Sequence, residues 1–161
     1  MIENYFPAYQ LCPITLDNYQ DVMPIYHSNQ AFFMAVDGTP GTLEGCRSNI
    51  AAVPPNFPLS QKQYFGLWQN SHPIAMVDIL QGYPSANVLY IGLLLVHGDY
   101  HGQGIGQSIV ENLLAFAKDN GITEAQLGVI KSNYQAIAFW EKCGFKQTGA
   151  TADAITMSRK V

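Results

Sequence analysis

Residues 88–96 read VLYIGLLLV, a nine-residue apolar run with no charge. A run of that length is a strand rather than a helix, and its continuity predicts burial on both faces. Eight residues after it ends the chain becomes an amphipathic helix, with Ile105, Ile109, Leu113 and Phe116 at helical spacing. Between the two lie glycines at 102, 104 and 106. The next apolar stretch, EAQLGVI at 124–130, alternates Ala125, Leu127 and Val129 as a strand does. Strand, helix, strand is a crossover unit, so 88–96 and 124–130 are expected to be parallel neighbours joined through a helix over 104–118. Gly121 suits the end of that helix.

The other elements follow from turn and capping signals. PAYQLCPI, 7–14, reads as a first strand, and 16–26 as a helix with Thr15 as its N-cap. Residues 27–60 are rich in glycine and proline and read as irregular, with one short helix near 42–52. KQYFGLWQ (62–69) and HPIAMVDIL (72–80) form a hairpin about Asn70-Ser71, and GYPSAN (82–87) is a further turn. A second amphipathic helix follows Ser132 or Asn133 and stops at Gly144. Short strands over 145–149 and 154–160 close the chain. There is no internal repeat or linker, so 1–161 reads as a single α/β domain of α+β type, with a mixed sheet.

Composition narrows the function classes. The chain of 161 residues is 48% hydrophobic and 12% charged, enough for a sizeable core. A net charge of -4 argues against a nucleic-acid partner, which needs a basic face. The three cysteines, Cys12, Cys46 and Cys143, have neither zinc spacing nor an even disulfide framework, so no metal is expected and a reducing compartment is. MIENYFPAYQ lacks the basic and apolar regions of a signal peptide. IGLLLV is too short to cross a bilayer, and the expectation is a cytoplasmic protein without a membrane partner.

The glycine turn points to an anion. The first amides of a helix lack internal partners, and the helix dipole adds positive charge there. Glycines at 102, 104 and 106 let a phosphate approach the backbone, and His101 and Gln103 offer side-chain donors at the rim. NAD is disfavoured because the next strand ends GVIKSN, without an acid for a ribose. ATP is disfavoured because Gly106 is followed by Gln107-Ser108 rather than Lys-Ser or Lys-Thr.

DYHGQGIGQSIVENLL resembles the acetyl-coenzyme A signature of the GCN5-related N-acetyltransferases, with His101, Gly104 and Gly106 at the signature positions. A second stretch of that family is matched by Asn133, Ala136, Phe139, Trp140, Gly144 and Phe145. The resemblance implies a mostly antiparallel sheet flanked by helices, with a parallel strand pair that splays apart. It implies that the pantetheine arm pairs with the main chain of Leu94, Leu95 and Val96. The pyrophosphate would meet the amides of Gly102, Gln103, Gly104, Ile105, Gly106 and Gln107. Asn133 would reach the pantetheine, with the 134–143 helix and Trp140 along it. The Val96 amide would stabilise the oxygen that gains charge. The implied reaction moves an acetyl group from acetyl-coenzyme A to a primary amine of a small molecule or peptide. A homodimer is left open. A coenzyme A-binding sensor without turnover is the alternative, and a nucleotide-binding protein a third reading.

Three positions depart from the family pattern. The usual Arg or Gln is His101. The tyrosine that serves many members as an acid is replaced by Trp140, which has no phenol to donate. A glutamate base used by some members falls at Gly128. Candidate bases are therefore Asp78, Tyr90 and His97, and the candidate acid is Tyr134. Asp78 interrupts the apolar AMVDIL, so it either faces solvent or lines a cleft, since an unpaired buried carboxylate is costly. Cys143 reads as a buried structural thiol. Phe32, Phe33, Phe57, Tyr64, Trp68 and Tyr83 either wall an acceptor pocket or, more simply, fill the core.

Overall fold

The computed structural model describes residues 1–161. Seven strands form one sheet: β1 (Gln10–Pro13), β2 (Lys62–Gln69), β3 (His72–Gln81), β4 (Val88–Val96), β5 (Glu124–Ile130), β6 (Lys146–Ala150) and β7 (Ala154–Lys160). Across the sheet they run β1-β2-β3-β4-β5-β7-β6. All neighbours are antiparallel except β4 and β5. Five α-helices flank the sheet: α1 (Met23–His27), α2 (Gln30–Asp37), α3 (Leu43–Asn49), α4 (Ile105–Asp119) and α5 (Tyr134–Lys142).

The β2–β3 hairpin turns on Asn70 and Ser71, at φ 50° and 65°. Positive φ at both central residues matches the right-handed twist of the strands it joins. The crossover is carried by α4, whose Ile109, Val110, Leu113, Leu114, Phe116 and Ala117 are buried. These pack with Leu89, Ile91, Leu127 and Phe145 into the larger core on one face of the sheet. A second, smaller core lies under α1, α2 and α3, around Ile25, Tyr26, Phe33, Cys46, Tyr64, Met76 and Leu95.

The parallel pair is short. Val88–Tyr90 pairs with Glu124–Gln126, and no later residue of β4 is in register with β5. A bulge in β4 follows directly on the last paired residues. Asp78 faces Leu93 and Ile79 faces Ile91, so Gly92 is the extra residue. One inserted residue reverses the side-chain alternation. Leu89 and Ile91 enter the larger core before Gly92; Leu94 and Val96 pack against it afterwards. The expectation that β4 is buried on both faces is thus corrected. Gly92 is exposed and Leu93, Leu94 and Val96 are half-buried, because β5 has left that edge.

The N-terminal region differs more. The helix expected over 16–26 is a turn, a 3-10 helix (Tyr19–Val22) and then α1. Side chains take over the local backbone groups: Thr15 N–H donates to Asn18 Oδ1 at 2.8 Å, and Asn18 Nδ2 donates to the Pro13 carbonyl at 2.9 Å. Such bonds compete with helix formation. Pro24 is tolerated in the first turn of α1, where a missing N–H costs nothing. Helix α2 lies in the stretch read as irregular and ends at Gly38, φ 71°. The short helix expected near 42–52 is α3, capped by Thr42, whose hydroxyl accepts from Gly45 N–H at 3.0 Å. Thr42→Ala is expected to cost about 1 kcal/mol, read as a lower thermal midpoint. No helix is long and apolar enough to cross a membrane.

Candidate active site

β4 leaves the sheet into a 3-10 turn (Gly98–Tyr100) and then the glycine turn that opens α4. Gly102 and Gly104 have φ of 76° and 77°. A Cβ at either would point into open space, with nothing within 4 Å. The N–H groups of residues 102–107 bond to no acceptor within the chain. The first helical bond is Ser108 N–H to the Gly104 carbonyl, at 3.0 Å. Successive donors with no partner at a helix start suit a phosphate well. Gly106 has a different task. A Cβ there would lie 3.1 Å from the Phe139 ring and 3.6 Å from Val96, so it lets α4 close against α5.

The main chain of β4 completes the groove. His97 N–H donates to the Ile74 carbonyl on β3 at 2.8 Å, and Val96 stands opposite Ala75. Residues alternate along an antiparallel pair, so the Val96 and Leu94 groups point away from β3, into the splay. Leu95 points the other way, and its side chain is buried in the second core. The Val96 carbonyl is already engaged: Asn29 Nδ2 donates to it at 2.9 Å, and His101 Nε2 lies 2.7 Å from it. The His101 ring, expected at the rim of the glycine turn, is instead folded back onto the end of β4.

Asn133 caps α5, its Oδ1 accepting from Ala136 N–H at 3.2 Å. Its Nδ2 makes no bond within the chain. Trp140, expected along the ligand, is 8% exposed in the core, edge-on between Phe139 and Phe145. Tyr134 begins α5 and is 78% exposed.

Asp78 does not face solvent. It is 6% exposed, on the face of the sheet that carries the second core. Oδ2 accepts from Lys62 Nζ at 2.8 Å and Asn49 Nδ2 at 3.0 Å, and Oδ1 has no partner. Lys62 Nζ also donates to the Ala52 carbonyl at 2.9 Å. Burial pushes the Asp78 carboxyl above its ordinary value; Lys62 and then Asn49 pull it back. The carboxylate lies under the bulge, Oδ2 being 3.3 Å from where a Gly92 Cβ would stand.

Tyr90 reaches Gly128, whose added Cβ would stand 3.1 Å from the Tyr90 hydroxyl. The phenol therefore fills the space a longer side chain at 128 would need. Burial raises its pKa, the Tyr83 phenol adds to this, and the Gly128 backbone opposes it. Phe57, Tyr83 and Tyr90 stack edge to face in series, at 5.8 and 5.3 Å between ring centres. His97 is turned to its own turn, where Nδ1 accepts from Asp99 N–H at 3.1 Å. Cys143 is buried, and burial raises its thiol pKa. A cavity of about 370 Å³ opens at the β1 edge, between Ile2, Leu11, Ile14, Leu59 and the Asp78 partner Lys62. No group of three or more His, Cys, Asp or Glu is placed to hold a metal ion.

Lys62, Asn49, Ser28 and Asn29 were not singled out from the sequence. Lys62 becomes the diagonal neighbour of Asp78 on the same face only because a bulge between Leu67 and Trp68 sets Tyr64 opposite Asp78, a shift the hairpin turn does not announce. For Asn29 there was no signal, because its partner lies 67 residues away.

Comparison with known proteins bears on this geometry. The family model for the acetyltransferase (GNAT) family matches residues 23–145. The peptidyl-lysine N-acetyltransferase YjaB of Salmonella typhimurium is 40% identical over 60 residues, 37% of this chain and 38% of that protein. The chain spans only 25% to 38% of the length of the curated relatives it matches. An acetyltransferase from Thermus thermophilus superposes with a TM-score of 0.80 at 22% identity, covering 96% of this chain and 97% of that one. The PaiA N-acetyltransferase of Thermoplasma acidophilum, solved with coenzyme A, gives 0.72 at 16% identity, covering 95% and 99%. Likeness at these identities concerns the fold.

Proposed function

The chain belongs to the GNAT family of acetyltransferases, and from that premise we propose that it moves an acetyl group from acetyl-coenzyme A to a primary amine of a small molecule or peptide. The observation that carries the proposal is the run of unpartnered N–H groups at 102–107, beside a strand whose outer edge is open. These amides hold the pyrophosphate. The Leu94 and Val96 main chain and Asn133 Nδ2 take the pantetheine arm as an added strand would be taken. The Val96 N–H faces the splay and donates to the thioester oxygen as it gains charge.

The attacking amine has to shed a proton. Asp78 is assigned that task, directly or through a water under the Gly92 bulge. Its raised basicity and its unpartnered Oδ1 support the assignment. A thiolate leaves without help. Tyr134 has a part only if Tyr134→Phe slows thiol release.

Calorimetric titration with acetyl-coenzyme A, followed by thiol release over a panel of amines, tests the reading. Absence of binding at millimolar ligand overturns it, and binding with no release on any amine points to a sensor. Asn133→Asp separates two tasks of one side chain. It keeps the cap acceptor and loses the Nδ2 donor. The expected result is an unchanged thermal midpoint with acetyl-coenzyme A affinity lower by about fivefold, the value of one hydrogen bond.

A further inference from the structure

We propose that Asn29 and His101 clamp the Val96 carbonyl between two donors and act as positioning residues for acetyl transfer. The proposal rests on the acetyltransferase reading above. Asn29 lies between α1 and α2 and is 9% exposed. An amide so buried is costly unless bonded, and its Nδ2 donates to two carbonyls, Ile25 at 2.8 Å and Val96 at 2.9 Å. His101 Nε2 reaches the same Val96 oxygen at 2.7 Å from within the loop that follows β4. A carbonyl has two lone pairs, so both are used.

Beside this, Ser28 fixes the next peptide. Its Oγ donates to the Ile25 carbonyl and accepts from Gly98 N–H, both at 2.9 Å. The approach is so close that a Cβ on Gly98 would stand 2.9 Å from the Ser28 carbonyl oxygen. Val96 is the last residue of β4 and the start of the path to the glycine turn. Holding its carbonyl sets the peptide that follows, so the exit of β4 is oriented before any ligand arrives. The clamp and the His97 N–H bond to Ile74 together fix the Val96–His97 peptide, which withdraws the Val96 carbonyl from the ligand and holds the peptide adjoining the Val96 N–H. Donors fixed in advance are worth more in a transition state than donors that must reorient. The clamp also ties the α1–α2 junction, on the second-core face, to the residues that receive the acyl donor.

The test is a double-mutant cycle on the full chain, using Asn29→Asp, Asn29→Ala, His101→Ala, His101→Gln and Asn29→Ala/His101→Ala, with kcat and both KM values measured. Asn29→Asp keeps the shape and loses the amide N–H, Asn29→Ala removes every donor at that position, and His101→Gln keeps a side-chain N–H. The expected result is a fall of about tenfold in kcat/KM for acetyl-coenzyme A on losing either donor, less than the hundredfold or more seen when such a donor is deleted outright. The amine KM stays unchanged and His101→Gln recovers most of the loss. Because both donors serve one oxygen, the double variant is expected to lose little more than the worse single variant. In the ligand-free protein, His101→Ala is expected to speed amide exchange at Gly98. Losses that multiply in the double variant, kinetics like the wild type in Asn29→Ala and His101→Ala, or unchanged exchange would each overturn the clamp. A wild-type protein that neither binds acetyl-coenzyme A nor releases thiol overturns the functional reading itself, and the positioning role with it.

Discussion

Lys62→Met is expected to destabilise the fold by about 3–5 kcal/mol, the cost of removing one partner from a buried ion pair. The side chains of Lys62 and Asp78 are 3% and 8% exposed, so solvent does not screen the pair. Without Lys62, the Asp78 carboxylate keeps Asn49 as its one donor, with Oδ1 still unpartnered. The cause is an uncompensated charge, so removing that charge should repair it. Lys62→Met/Asp78→Asn is expected to recover most of the loss, read from urea midpoints. A double variant as unstable as the single would show instead that Lys62 acts through packing or its bond to the Ala52 carbonyl.

The pH dependence has a definite sign. Burial holds the folded-state pKa of Asp78 above its unfolded value. Between those two values the native state binds more protons than the unfolded one, so this group's contribution to stability falls as pH rises through that window. Lys62 pulls the folded value down, and removing it widens the window upward. The deficit of Lys62→Met is therefore expected to be largest at neutral pH and to shrink on acidification. If Asp78 takes the proton from the amine, the acid limb of the rate profile should move to higher pH in the same variant. A limb that stays in place while the stability window moves would remove Asp78 from the chemistry and leave it a structural group.

The parts of the molecule legible in the sequence are those specified over short distances. β2, β4 and β5 occupy the expected ranges because apolar runs bounded by turn residues define them. The glycine turn was legible because spacing and helix start are both local. Helix α2 was missed because its apolar residues do not share one face: Phe33 is buried, while Met34 and Val36 are exposed. The fate of Asp78 needed the register between β2 and β3, and that of His101 needed the path of the loop after β4. Gly106 illustrates the same limit. Its place in the signature suggested room for a phosphate, whereas its neighbour is the Phe139 ring on α5, a contact no local spacing encodes.

Gly104→Ala is expected to weaken acetyl-coenzyme A binding by about thirtyfold, roughly 2 kcal/mol by the usual relation of affinity to free energy. Two effects are mixed in that substitution, and Gly121 separates them. Both glycines have positive φ, 77° and 73°, and a Cβ at either meets nothing within 4 Å. Each alanine therefore carries the same backbone strain, about 1–2 kcal/mol, without a clash. Gly121 lies just past the far end of α4, in the turn before β5. Gly104→Ala and Gly121→Ala should lower the thermal midpoint by similar amounts, and only the first should change affinity. The added methyl at 104 stands among the N–H donors of 102–107 and holds a phosphate off them. Equal, small affinity losses in the two variants would mean that the glycine at 104 serves only the backbone geometry of the turn. A large loss confined to Gly104→Ala would assign the open space above it to the ligand.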